Sequence, residues 1–264
     1  MRVVAVDWSG AASSYGQRKH IWMAVVDEGV LISLENGMSR REVVDTLVSM
    51  ASADKGLIVG LDFAFAFPAW FTRQRGLKEV GELWALVEGE GEDWLQLCPA
   101  PFWGRPGVAR PDLIEHFRST ESACGPVGGT RPKSVFQIGG AGAVGTGSIR
   151  GMPFLSRLRQ SGFSIWPFDG ARASLAVEIY PRLLTGAVRK ARAAERRSHL
   201  RGWPIPSSLR AFAEESEDAF DATVSALVMF RHIEELRALD RSRDPRTLLE
   251  GAMWAPPAGA CDDP

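Results

Sequence analysis

The 264 residues are 45% hydrophobic and carry a formal net charge of −1, with 31 Lys and Arg against 32 Asp and Glu. That composition describes a globular protein with enough apolar material for one large core or two small ones. It supplies no overall cationic field, so contact with a polyanion has to come from a local basic patch or through metal ions. Cys98, Cys124 and Cys261 have no paired spacing, which argues against a disulfide framework and a zinc site, and a cytoplasmic location is expected. The opening "MRVVAVDWSG" reads as a strand without the basic start and apolar stretch of a signal peptide. No later apolar run approaches the ~18 residues of a membrane span.

In chain order, "RVVAVDW" (2–8) is a β-branched run that ends in Asp7 and breaks at "SG". "HIWMAVV" (20–26) and "VLISLENG" (30–37), joined by "DEG", read as a hairpin lying beside the first strand. Ser39 can cap a helix in which Val43, Val44, Leu47 and Val48 recur at helical spacing. "GLIVGLDFAF" (56–65) is a buried strand carrying Asp62 near its end. Residues 68–95 read as helical. The Gly- and Pro-rich segment 98–150 is too long for an ordinary loop, and its aromatics make it an insertion that packs near a site.

Beyond it come a short helix "MPFLSRLRQSG" (152–162), a strand "FSIWPFD", and a strand "LAVEIYP" (175–181) containing Glu178. A basic helical stretch follows over 182–201, and then an acidic helix that includes "SEDAFDATVSALVMF" (216–230). Residues 1–250 are expected to form one α/β domain with a five-stranded mixed sheet, its insertion spanning about 68–150. Residues 251–264 are expected to be a tail.

Asp7, Asp62, Glu178 and Asp221 each interrupt an apolar run, and Asp218 shares a helix face with Asp221. An isolated carboxylate in such a place costs several kcal/mol unless it is paired, protonated or bound to a cation. Their number suggests a shared hard divalent cation, Mg²⁺ or Mn²⁺, which takes oxygen donors. Plainer readings exist for some of them. Asp7 could bond the turn after its strand, Glu178 could pair with an arginine such as Arg182, and Asp218 could complement the helix dipole behind a Ser216 cap. The dipole explains Asp221 poorly, since it sits a turn deeper between Phe220 and Val224.

These acids, with "VVAVDWSG", "GLDFAFAFP", "PKSVFQIGGAGAVGTGSIRGMPFL", "VEIYPRLL" and "EDAFDATVSALV", resemble a family of unknown function described as predicted ribonuclease H-like nucleases. The acid order is nearest to that of Holliday-junction resolvases. The resemblance implies a ribonuclease H-like fold with Asp7, Asp62, Asp218 and Asp221 as metal ligands and Glu178 as a further catalytic acid. It implies phosphodiester hydrolysis of DNA or RNA by cations held ~3.5–4 Å apart. No acid of the first helix matches ribonuclease H proper, because Glu42 and Asp45 look solvent-facing. Substrate-binding candidates are Arg131, Lys133, Arg150, Gly140 and Gly142 around the glycine-rich segment. Arg189 and Lys190, with Arg192, Arg196 and Arg197, form a basic cluster that could equally be a solvated helix face.

Other readings compete. "GAGAVG" (140–145) fits the dinucleotide pattern G-x-G-x-x-G, making a nucleotide-binding enzyme that uses 139–147 a formal rival, although "RPKSVFQ" is polar for the central strand that must precede it. An actin-like ATPase would need a second copy of the first-strand pattern. A non-catalytic scaffold or binding protein would use the acids structurally.

Overall fold

In the computed structural model the described residues are 1–112, 115–170 and 173–257; Cys261 and the rest of 258–264 lie outside them. The chain runs β1 (Arg2–Asp7), α1 (Ser14–His20), β2 (Trp22–Asp27), β3 (Val30–Glu35), α2 (Arg40–Ala53), β4 (Ile58–Leu61), α3 (Ala69–Gln74) and α4 (Val80–Leu97). It continues through α5 (Ser119–Ala123), α6 (Gly145–Gln160), β5 (Phe163–Ile165), β6 (Ser174–Ile179), α7 (Pro181–Thr185), α8 (Ala193–His199) and α9 (Ser207–Glu215). It closes with α10 (Glu217–Arg231), α11 (Ile233–Arg237), α12 (Thr247–Glu250) and β7 (Met253–Trp254).

The strands form one mixed sheet in the order β3-β2-β1-β4-β6-β5, with β7 also on β6. The first three are antiparallel, as the hairpin reading expects, and β1-β4, β4-β6, β5-β6 and β6-β7 are parallel. The sheet has seven strands rather than the expected five. The difference arises at the outer edge of β6, where β5 pairs along Ser174–Ala176 and β7 takes the next positions, Glu178 and Ile179. Residues 253–254, expected in a tail, are thus part of the sheet, and Trp254 is buried.

Alternation along the strands divides the core into two layers. Val3 and Ala5 of β1, Ile58 of β4 and Val177 and Ile179 of β6 pack with α10, whose Phe220, Val224 and Met229 are fully buried. Val4, Val6, Val59, Leu61 and Ala176 face the opposite layer, with α2, α4 and α6. The approach of α10 depends on Gly60: a Cβ there would lie 2.5 Å from the Met229 sulfur.

Caps explain the starts of α2 and α10. Ser39 and Glu42 form a reciprocal capping box on α2, and the Ser216 hydroxyl accepts the Ala219 N–H at 3.0 Å to start α10. The insertion is held by rings: Phe67 stacks on Phe136 at 5.4 Å, and Trp94 on Phe102 at 5.3 Å. Among the described residues no helix is long and apolar enough to cross a membrane.

α6 departs from the sequence reading. It begins at Gly145 rather than Met152, carrying the glycine-rich stretch in its first two turns and Pro153 inside it. The glycines serve close packing. A Cβ on Gly10 would stand 2.8 Å from the Gly147 N, and one on Gly151 would strike the Phe63 ring at 2.7 Å. The basic stretch 182–201 is likewise two short helices, α7 and α8, separated by a segment from Gly186 to Arg192.

Candidate active site

Strand register builds the site. Val6 pairs with Leu61 in the parallel β1-β4 ladder, and the Asp62 N–H continues it by donating to the Val6 carbonyl at 3.1 Å. Asp7 and Asp62 therefore end adjacent central strands, each in step with the residues that face α10. From the other side α10 contributes Asp221, 6% exposed and a turn inside the helix, while Asp218 in its first turn lies near the rim.

Asp7, Asp62 and Asp221 sit in a shared field of negative charge. Burial, then Asp62, Asp221 and Asp218, hold the Asp7 carboxyl well above the usual carboxylate range. Burial and the Asp221 charge push Asp62 up to about 8, against the pull of Lys190. Burial raises Asp221 to about 6, again opposed by Lys190. Like charges gathered at the ends of two central strands are costly unless protonated or met by a cation, and the chain supplies a cation: the Lys190 ammonium donates to Asp221 Oδ2. Asp221 Oδ1 is buried with no hydrogen-bond partner. At the rim, His20 Nδ1 lies 3.1 Å from Asp218 Oδ2.

The donor set suits Mg²⁺ or Mn²⁺ in chemistry, being carboxylate oxygens with one buried lone acceptor. Among the described residues, however, no three His, Cys, Asp or Glu side chains already stand in metal-ligating geometry. Asp221 faces Lys190 instead.

Glu178 has other duties. Leu61 pairs with it across β4-β6, and its neighbours Val177 and Ile179 face α10, so alternation sends its side chain to the opposite layer from Asp7 and Asp62. There Arg118, 1% exposed, donates to both Glu178 oxygens, and the Phe65 N–H donates to Oε2 at 2.8 Å. The partner is thus Arg118 rather than Arg182, which instead donates to the carbonyls of Gly186 and Val188. Arg118 also reaches Glu121 Oε1 at 2.7 Å through Nε and the Glu250 carbonyl at 3.0 Å. The sequence reading missed this arginine; its one local signal was the i, i+3 spacing to Glu121.

Asp62 and Glu178 both line a cleft of about 220 Å³ together with Trp8, Lys133, Gly142 and Gly147. The glycine-rich segment thus shares a cleft with Asp62 and Glu178. Gly142 lies against the Lys133 stem, where a Cβ would be 3.6 Å from Cε, and Gly140 has φ +79°. Arg131 is exposed. Arg150 is committed elsewhere, to Glu92 at 2.7 and 2.8 Å and to the Gly10 carbonyl, which pins the loop after β1.

Within the basic cluster, Arg189 is exposed but Arg196 is 6% exposed and holds the carbonyls of Glu214 and Glu215, so Arg196 is a structural clamp. The dinucleotide pattern lacks its strand: Ser134–Gln137 forms a turn closed by the Gln137 N–H on the Ser134 carbonyl. Glu42 and Asp45 are exposed and pair with Arg18 and Arg157. In comparisons with known proteins, no family model, curated protein or solved structure matches this chain.

Proposed function

We propose that the chain is a divalent-metal-dependent nuclease with a ribonuclease H-like sheet, hydrolysing phosphodiester bonds of nucleic acid. The observation that carries this reading is the register that ends β1 and β4 in Asp7 and Asp62, facing Asp221 of α10. The strand order β3-β2-β1-β4-β6, antiparallel and then parallel, supports the fold assignment.

Asp7, Asp62 and Asp221 would hold Mg²⁺ or Mn²⁺, with Asp218 at the rim. When bound, the cation supplies an activated water and charge for the departing oxygen. The chain's own residues do the rest. Lys133 and Gly142 line the same cleft as Asp62 and bring a cation there, suited to a backbone phosphate. The first turn of α6, at Gly145–Gly147, adds the positive end of a helix dipole. Arg118 and Glu178 lock the end of β6 so that the cleft keeps its shape.

The Lys190–Asp221 pair favours a second reading, a scaffold in which lysine alone balances the acids. Labelled single- and double-stranded DNA and RNA, incubated with Mg²⁺, Mn²⁺ or EDTA, separate the two. The nuclease reading predicts metal-dependent cleavage of at least one substrate, lost in Asp62→Asn. No cleavage of any substrate with either metal supports the scaffold.

A further inference from the structure

Lys190 is built into the acid cluster rather than merely near it. Its ammonium donates to Asp221 Oδ2, and its charge opposes the upward push on Asp7 and Asp62 as well. The side chain is only 14% exposed. The backbone beneath it is fixed from both flanks: Arg182 donates to the carbonyls of Gly186 at 3.1 Å and Val188 at 2.7 Å, Arg196 donates to the Lys190 carbonyl, and Glu195 accepts the Arg189 N–H at 3.1 Å. The movable part is the four-carbon stem.

Asp221 divides its carboxylate unevenly, Oδ2 on the ammonium and Oδ1 buried without a partner. A buried acceptor left open beside two further carboxylates is an incomplete shell for a cation larger in charge than an ammonium. A divalent ion and an ammonium a few Å apart repel each other, so each weakens the other's hold on Asp221.

We propose that Lys190 is a resident counter-cation occupying the seat formed by Asp7, Asp62 and Asp221, and that a divalent cation binds only by displacing its side chain outward while the anchored backbone stays in place. This rests on the metal-dependent reading of the site. It makes Lys190 a determinant of metal affinity, and gives metal binding a signature in the lysine itself.

The test is Mn²⁺ titration by calorimetry at one pH on wild type, Lys190→Met and Lys190→Arg. It is paired with acetylation of wild-type lysines read by mass spectrometry, with and without saturating Mn²⁺. Displacement predicts at least tenfold tighter Mn²⁺ binding in Lys190→Met, which keeps the stem and loses the charge, and near wild-type binding in Lys190→Arg. It also predicts that Mn²⁺ raises acetylation of Lys190 several-fold while the exposed Lys55 and Lys78 stay unchanged. Equal or weaker binding in Lys190→Met with wild-type binding intact overturns the displacement and leaves the metal site standing. So does unchanged Lys190 labelling at Mn²⁺ saturation. Absence of Mn²⁺ binding in wild type and Lys190→Met overturns both readings. If Lys190→Met does not fold, the labelling of wild type and the arginine variant carry the decision.

Discussion

Asp62 carries part of the electrostatic cost of the site, and its titration gives that cost a sign. Its folded pKa of about 8 lies above the ordinary carboxylate value, so between roughly pH 4 and pH 8 the folded chain binds more protons than the unfolded one. Stability attached to this group is therefore full below pH 4 and is lost as pH rises through 8. Without metal, Asp62→Asn should be more stable than wild type by a margin that widens from pH 4 to pH 8, by roughly 1–3 kcal/mol, since the acids share one field. Urea denaturation of both proteins across that range checks it; a constant margin contradicts it.

Arg118 is the opposite case, a buried cation with its acids already matched. Arg118→Met strands Glu178 and Glu121 in the interior and should cost about 3–5 kcal/mol. A denaturant midpoint unchanged from wild type would contradict the assignment of Arg118 as the lock on β6. Asp7, Asp62 and Asp221 were legible as residues because each breaks an apolar run. Arg118 was not, because it meets Glu178 from 60 positions away. Glu178 was misplaced for a reason of parity: it too breaks an apolar run, but alternation turns it to the other face.

Among the elements, α10 and β4 decide whether the acids meet at all. The helix crosses the sheet where Gly60 leaves room for Met229, and Asp221 rides on the same helix two turns earlier. Gly60→Ala should destabilise the fold by about 1–3 kcal/mol through overpacking, and Met229→Ala added to it should cost less than it does alone. Thermal or urea unfolding of the double-mutant cycle reads this directly; strict additivity would mean the two do not touch.

β1 to β4 and α2 were readable from alternation, helical spacing and the Ser39 cap, because local pattern and tertiary burial agree there. α6 was not. Its opening "GTGSIRGMP" has weak helix propensity, and only tertiary contacts, Gly147 against Gly10 and Gly151 against Phe63, explain why those glycines stand in a helix. α1 was missed because none of its residues is buried, so it leaves no apolar stripe to read.

For the whole molecule, the α/β class and the change from antiparallel to parallel strands were expected from the order of runs along the chain. β5 lies within "FSIWPFD", which reads as a strand, whereas β7 was obscured because it is two residues long and pairs only with β6. What unites the layers is the edge where β1, β4 and β6 end: α10 closes it on one face, and Arg118 with the insertion closes it on the other. Asp62, Lys133 and the start of α6 line one cleft there and Lys190 pairs with Asp221, although they come from distant parts of the sequence.

The central claim is that strand and helix acids form one cation site. Calorimetric titration of Mg²⁺ and Mn²⁺ into wild type, Asp62→Asn and Asp221→Asn tests it most directly. The account predicts saturable binding in wild type that is lost in both variants, because β4 and α10 each supply part of the same seat. Binding indifferent to both substitutions, or none in wild type, would contradict it.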